Sequence, residues 1–304
     1  MTRRILGVAL AILACAGSFP ASGQQAGAAK SEVAPREIPF EIVNGHLIEV
    51  LGSIGTHTKL RFLVEIGTPR TMLDSELGQR DAENANTTKA APVQQAEILL
   101  KDFQLGSVVM PEIRAISTDL SQMPAVPPGV AGIIGLDLLE RQNVTIDYLE
   151  KKIFLSASTG GEHQTEMAAN SAGLTVESNW RGNPLKLVLS TGVEAVALDQ
   201  DRVNQRSMKL PDLKNGSFPD GKGTSTLIFE MKELMLGNAK LTCMAVVRKM
   251  EWPEGSEQLM GFLPLAALRA SRVSLDFEKK LLFWDSSSVS SEKAKLAGNR
   301  AKQN

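Results

Sequence analysis

The chain has 304 residues, with Lys and Arg totalling 33 against 34 for Asp and Glu, a net charge of −1. A chain so nearly neutral presents no electrostatic footprint for nucleic acid. Its length allows one large or two small domains around a sizeable core.

The first residues read as an export signal. Thr2-Arg3-Arg4 is a short cationic start, and Ile5 to Ala16 is an apolar run too short to span a bilayer comfortably. Ala21-Ser22-Gly23 then offers a cleavage site, so residues 1–23 are assigned as a signal peptide. Cys15 lies in a loose match to a lipoprotein box, which leaves lipid at Cys15, or the signal itself, as the expected membrane connection. Without Cys15 only Cys243 remains, in the apolar stretch Leu241 to Val247, where it reads as a small core residue. An exported chain without a disulfide fits a bacterial periplasm or cell envelope.

Residues 24–37 are rich in Ala, Gly, Ser and Gln and are expected to be a flexible leader. From Ile38 onward short β-branched and aromatic runs alternate with hairpin signals such as Asn44-Gly45 and Gly52-Ser-Ile-Gly55. Residues 79–95 are polar and turn-prone, and 123–129 form a Pro-rich loop. Residues 157–172 are predicted to link a first unit, 38–156, to a second, 173–285. Residues 286–304 read as a disordered tail.

The two units are copies. Leu60 to Asp74 aligns with Leu185 to Asp199 without a gap, so that Glu65-Ile66-Gly67-Thr68 stands over Ser190-Thr191-Gly192-Val193. Gly132-Ile133-Ile134-Gly135, leading to Asn143-Val-Thr-Ile-Asp147, matches Gly261-Phe262-Leu263-Pro264, leading to Arg272-Val-Ser-Leu-Asp276. Between them the turn at Gly106 matches the turn at Gly237. Three matched blocks in one order imply two copies of one β-rich unit. Asp74, Asp199, Asp147 and Asp276 recur at equivalent places and are expected in turn or strand-end roles.

These motifs resemble the bacterial retropepsin-like and pepsin-like aspartic peptidases, over about Ile38 to Trp284. The resemblance implies an all-β, two-lobed acid-protease fold: two homologous β-barrel lobes with a central cleft. It implies that each lobe carries one catalytic Asp in an Asp-Thr/Ser-Gly turn, and that Ile134-Gly135 threads through the first turn. Here the acid positions hold Glu65 and Ser190, which become the degenerate catalytic pair. Ile66, Gly67, Thr68, Thr191, Gly192, Val193, Ile134 and Gly135 become turn and cleft support. In the family the turn Thr hydroxyls bond across the interface. Thr191 keeps that hydroxyl, Ile66 lacks it, and Pro264 departs from the glycine of the second threading element. Segments 79–95 and 206–223 would be hairpins closing over the cleft.

Aspartic-peptidase chemistry needs two carboxylates about 3 Å apart sharing a proton. Ser190 supplies none, and a displacement of about 1 Å in Glu65 can cost about 100-fold. His46, His57 and His163 have no metal-ligand spacing, and no phosphate loop or nucleophile elbow is present, so neither metal nor cofactor is expected. Two functions remain open: a catalytically degenerate homologue holding peptide or unfolded protein in the cleft, and an active endopeptidase using Glu65 with Ser190 orienting the water. A monomer is compatible with either.

Overall fold

Alternation of buried and exposed residues, as along Ala239–Arg248, is what a strand with one face on a core requires. The computed structural model describes residues 36–77, 96–155, 158–211, 214–216 and 226–287. It is all-β, with nineteen described strands. The first repeat supplies β1 (Arg36–Val43), β2 (Leu47–Ile54), β3 (His57–Val64), β4 (Met72–Asp74), β5 (Ala96–Leu105), β6 (Val108–Thr118), β7 (Val130–Ile134), β8 (Val144–Asp147) and β9 (Lys152–Leu155). The second supplies β10 (His163–Asn170), β11 (Gly173–Trp180), β12 (Asn183–Ser190), β13 (Val196–Asp199), β14 (Lys214–Gly216), β15 (Thr226–Leu236), β16 (Ala239–Arg248), β17 (Leu259–Pro264), β18 (Ala270–Asp276) and β19 (Leu281–Ser286).

Pairing repeats with the sequence. The order β2-β3-β7-β4-β6-β5 closes back on β2. The order β11-β12-β17-β13-β16-β15 closes back on β11 in the same way. Each ring contains the same parallel contact next to the turn: Val64 opposite Ile134 in one, Leu189 opposite Leu263 in the other. Closure removes the free edges that would otherwise invite aggregation.

A third sheet, β1-β9-β8-β18-β19-β10, joins the repeats. At its centre β8 and β18 are equivalent strands running antiparallel, with Thr145 opposite Ser274 and their hydroxyls 2.8 Å apart. Its outer strands are covered alike. Ser107 Oγ donates to the Glu37 carbonyl from the β5–β6 turn. From the β15–β16 turn, Asn238 accepts from Gln164 N–H and donates to the Glu162 carbonyl.

Two boundaries differ from the sequence reading. Arg36 and Glu37, placed in the leader, pair with Leu155 and Phe154. Strand β10 lies inside the expected linker. Its polar sequence hid it, because an edge strand with one solvated face carries little apolar alternation. The leader before residue 36, segment 78–95, most of 212–225 and the tail beyond 287 lie outside the described residues. Cys243 is buried in the main core, where burial pushes its thiol up to about 11. Leu149, the extra residue in the first repeat, is absorbed as an exposed side chain (73%).

Candidate functional site

Each turn forms because an apolar strand buried inside a closed ring must reverse beside its parallel neighbour. After β3, Glu65 N–H donates to the Ile134 carbonyl at 2.9 Å, and Leu136 N–H donates to the Thr68 carbonyl at 2.8 Å. The strand ending in Gly135 is thereby threaded through the first turn. Gly67 and Gly192 are there for space. A Cβ on Gly67 would lie 2.7 Å from the Leu189 carbonyl, and one on Gly192 would lie 2.1 Å from Glu65 Oε2. A Cβ on Gly173, which opens β11, would likewise lie 2.7 Å from the Gly67 carbonyl.

The two turns face each other, and the Glu65 carboxylate lies in the second. Its Oε1 accepts from Gly67 N–H at 2.7 Å and from Thr191 N–H at 3.1 Å. Its Oε2 accepts from the Ser190 hydroxyl at 3.1 Å, and that hydroxyl accepts from Gly192 N–H at 3.0 Å. Burial pushes the Glu65 carboxyl above the usual carboxylate range. The N–H groups of Gly67 and Thr191, the Ser190 hydroxyl and Gly192 N–H act against that rise without cancelling it. The extra methylene of Glu therefore carries the carboxylate across to the hydroxyl that stands where the partner acid would be. Ser190 and Thr191 are buried, whereas Glu65, Gly67, Thr68, Gly192 and Val193 are partly exposed.

The Thr hydroxyl clamp is half present. Thr191 Oγ1 donates to the Val64 carbonyl at 2.5 Å and accepts from Ile66 N–H at 3.4 Å. Ile66, without a hydroxyl, is fully buried in the main core. Polar contact on one side and apolar contact on the other hold the turns together.

Further support for the first turn came from residues that sequence reasoning missed. Thr71 Oγ1 donates to Asp137 Oδ1 at 2.7 Å and accepts from Gly135 N–H at 3.1 Å, while Thr71 N–H donates to the same Asp137 oxygen at 2.9 Å. The equivalent positions in the second repeat are Val196, Pro264 and Ala266, which offer no hydroxyl, N–H or carboxylate there. The hydroxyl, the N–H and the carboxylate are thus absent together, so none of the three is left without the other two.

Two small apolar clusters, separate from the main core, also occupy equivalent places. Leu120 and Ile133, with Met72, Leu47 and Leu63, form the first. Ala197, with Met250, Phe262 and Ala195, forms the second. The first is aliphatic. The second is smaller and is flanked by Trp252, stacked on Phe262 at 5.2 Å with Arg202 at 4.7 Å from its ring centre.

The four repeated aspartates cap chain reversals. Asp74 accepts from Glu76 and Leu120 N–H, Asp147 from Leu149 and Glu150 N–H, and Asp276 from Lys279 N–H and Ser158 Oγ. Asp199 accepts from Arg202 N–H, Met250 N–H and Trp252 Nε1, which draws the 249–258 loop onto the second repeat. Among the described residues no group of three His, Cys, Asp or Glu is arranged to hold a metal ion.

No protein-family model matches this chain, and no curated protein sequence matches it. Among solved structures, it is similar to the crystal structure of basic 7S globulin from soybean, at 13% identity and a TM-score of 0.49, over 84% of this chain and 96% of that one.

Proposed function

We propose that this protein is an exported, aspartic-peptidase-like protein that holds a peptide or unfolded protein segment between its two repeats without hydrolysing it. One observation carries the reading. Of the two acid positions only Glu65 carries a carboxylate, and it is engaged by Gly67 N–H, Thr191 N–H and the Ser190 hydroxyl. Activation of water by an acid pair needs a protonated and an ionised carboxyl side by side. A serine hydroxyl can orient a neighbour but takes up no proton at neutral pH. The two closed rings, their threaded turns and the Thr191 clamp support the family resemblance. The cationic, apolar and small-residue start of the chain supports export.

Purified protein from Gln24 onward, incubated with reduced, unfolded casein between about pH 3 and about pH 7, is expected to bind it without cleavage, with pepstatin having no effect. Pepstatin-sensitive turnover that disappears in Glu65→Gln would overturn the reading in favour of a one-carboxylate endopeptidase. Absence of casein and peptide binding at every pH would remove the binding half of the proposal.

A further inference from the structure

Glu65 places a carboxyl group, negatively charged whenever it is ionised, in a site that answers it only with dipoles. The groups in contact with it come from the first turn, β7 and the second turn: Gly67, Ile134, Ser190, Thr191 and Gly192. None is titratable. Among the described residues no Lys, Arg or His lies within ion-pair distance of its carboxylate, although eleven other ion pairs are formed. The cations that flank it along the chain are held elsewhere, Arg61 by Glu49 at 2.6 Å and Arg70 by Glu97 at 3.4 Å and Asp137 at 3.8 Å.

The acceptor geometry is also incomplete. A carboxylate offers about four lone-pair sites. Oε1 takes two hydrogen bonds, whereas the direct bond to Oε2 comes from Ser190, and Gly192 N–H beside it is shared with the Ser190 hydroxyl. Glu65 is partly exposed, while Ser190 beneath it is 3% exposed and Thr191 4%. The site is therefore closed behind Glu65, and what exposure it has lies at Glu65 itself.

We infer that Glu65 is a cation-recognition site, with Oε2 receiving a primary ammonium or guanidinium group, such as a Lys or Arg side chain of a bound segment. Such a group replaces the missing counter-charge and fills the remaining acceptor position, at the point where the peptidase family places a water. This rests on the binding reading for its natural ligand, but the recognition itself is a property of Glu65 and can be tested without a peptide.

The probes are n-butylammonium and n-butanol, of equal length and different charge, added to full-length protein carrying 13C-glutamate. Glu65 is assigned by the signal that disappears in Glu65→Gln. Butylammonium is expected to move the Glu65 titration to lower pH, because a nearby cation favours the carboxylate, while butanol leaves it in place. Identical titrations with the two probes would overturn the inference. In parallel, two peptides differing only by a central Lys or norleucine are expected to differ about tenfold in affinity near neutral pH. That preference should vanish in Glu65→Gln and fade as Glu65 protonates. Equal affinities, or a preference that survives Glu65→Gln, would also overturn it. If butylammonium moves the titration and neither peptide binds, the cation site stands and the peptide-binding reading falls. If the peptides bind equally and the titration does not move, the reverse holds.

Discussion

The two repeats fold the same way but hold their turns by different means. Behind the first turn stands a polar network of Thr71, Gly135 N–H and Asp137. Behind the second stand Val196, Pro264 and Ala266, and a loop is drawn in by Asp199 instead. The first contributes the surviving carboxylate, Glu65, and the second contributes most of what receives it, Ser190 and Thr191. Divergence of this kind teaches that ring closure and threading constrain both copies, whereas the acid positions are constrained only by the need to pair across the interface. An acid pair needs a carboxyl from each half; here the first turn supplies the carboxyl and the second supplies donors to it.

The largest expected effect tests how tightly each ring is threaded. A Cβ on Gly261 would lie 1.8 Å from the Ala197 carbonyl, against 2.7 Å from the Met72 carbonyl for the equivalent Gly132. Backbone on backbone has little room to give. Gly261→Ala is expected to cost more than about 3 kcal/mol and Gly132→Ala about 1–3 kcal/mol, read by urea unfolding. Equal costs would mean that the second ring is no tighter than the first.

Next is the pair of strand-end aspartates. Asp199 is 3% exposed and satisfies three donors, two of them in the 249–258 loop, whereas Asp74 is half-buried and satisfies two. Asp199→Ala should cost about 3 kcal/mol and release the quenching environment of Trp252, while Asp74→Ala costs about 1 kcal/mol. An unchanged tryptophan spectrum in Asp199→Ala would break the assigned role of the loop anchor.

A reciprocal swap sharpens the contrast further. Thr71→Val leaves Gly135 N–H and the Asp137 carboxylate short of a partner, and Val196→Thr buries a hydroxyl beside Pro264, which has no N–H to offer. Each is expected to cost about 2 kcal/mol despite their near-identical shape. A neutral Thr71→Val would show that the first turn needs no polar support.

Much of this was legible beforehand. The repeat, the facing of Glu65 and Ser190, the clamp through Thr191 and the capping aspartates follow from apolar strands ending in matched Gly-containing turns, since a closed ring forces equivalent residues to equivalent places. Thr71 and Asp137 were not legible. They are 66 residues apart, meet only through the threading of Gly135, and have no counterpart in the second copy to flag them. Trp252 was equally hidden, because its loop is joined to the site by a side-chain bond to Asp199 rather than by a strand pattern. Strand β10 escaped notice because its apolar face is only partial: Met167 alone is fully buried in it.

The smallest expected effect concerns ionisation of Glu65 itself, where burial and the surrounding donors act in opposite directions. Burial prevails, so the carboxyl in the folded chain titrates above its ordinary value of 4.5. A raised carboxyl favours the folded state in its protonated form. Its contribution is complete below the ordinary value and is lost as pH rises through the folded one. Glu65→Gln keeps the shape and cannot ionise, so its stability relative to the parent should increase between about pH 4 and about pH 7, by urea unfolding at matched ionic strength. The opposite slope would mean that the donors of the second turn outweigh burial, and that the Glu65 carboxylate is already neutralised by the protein that surrounds it.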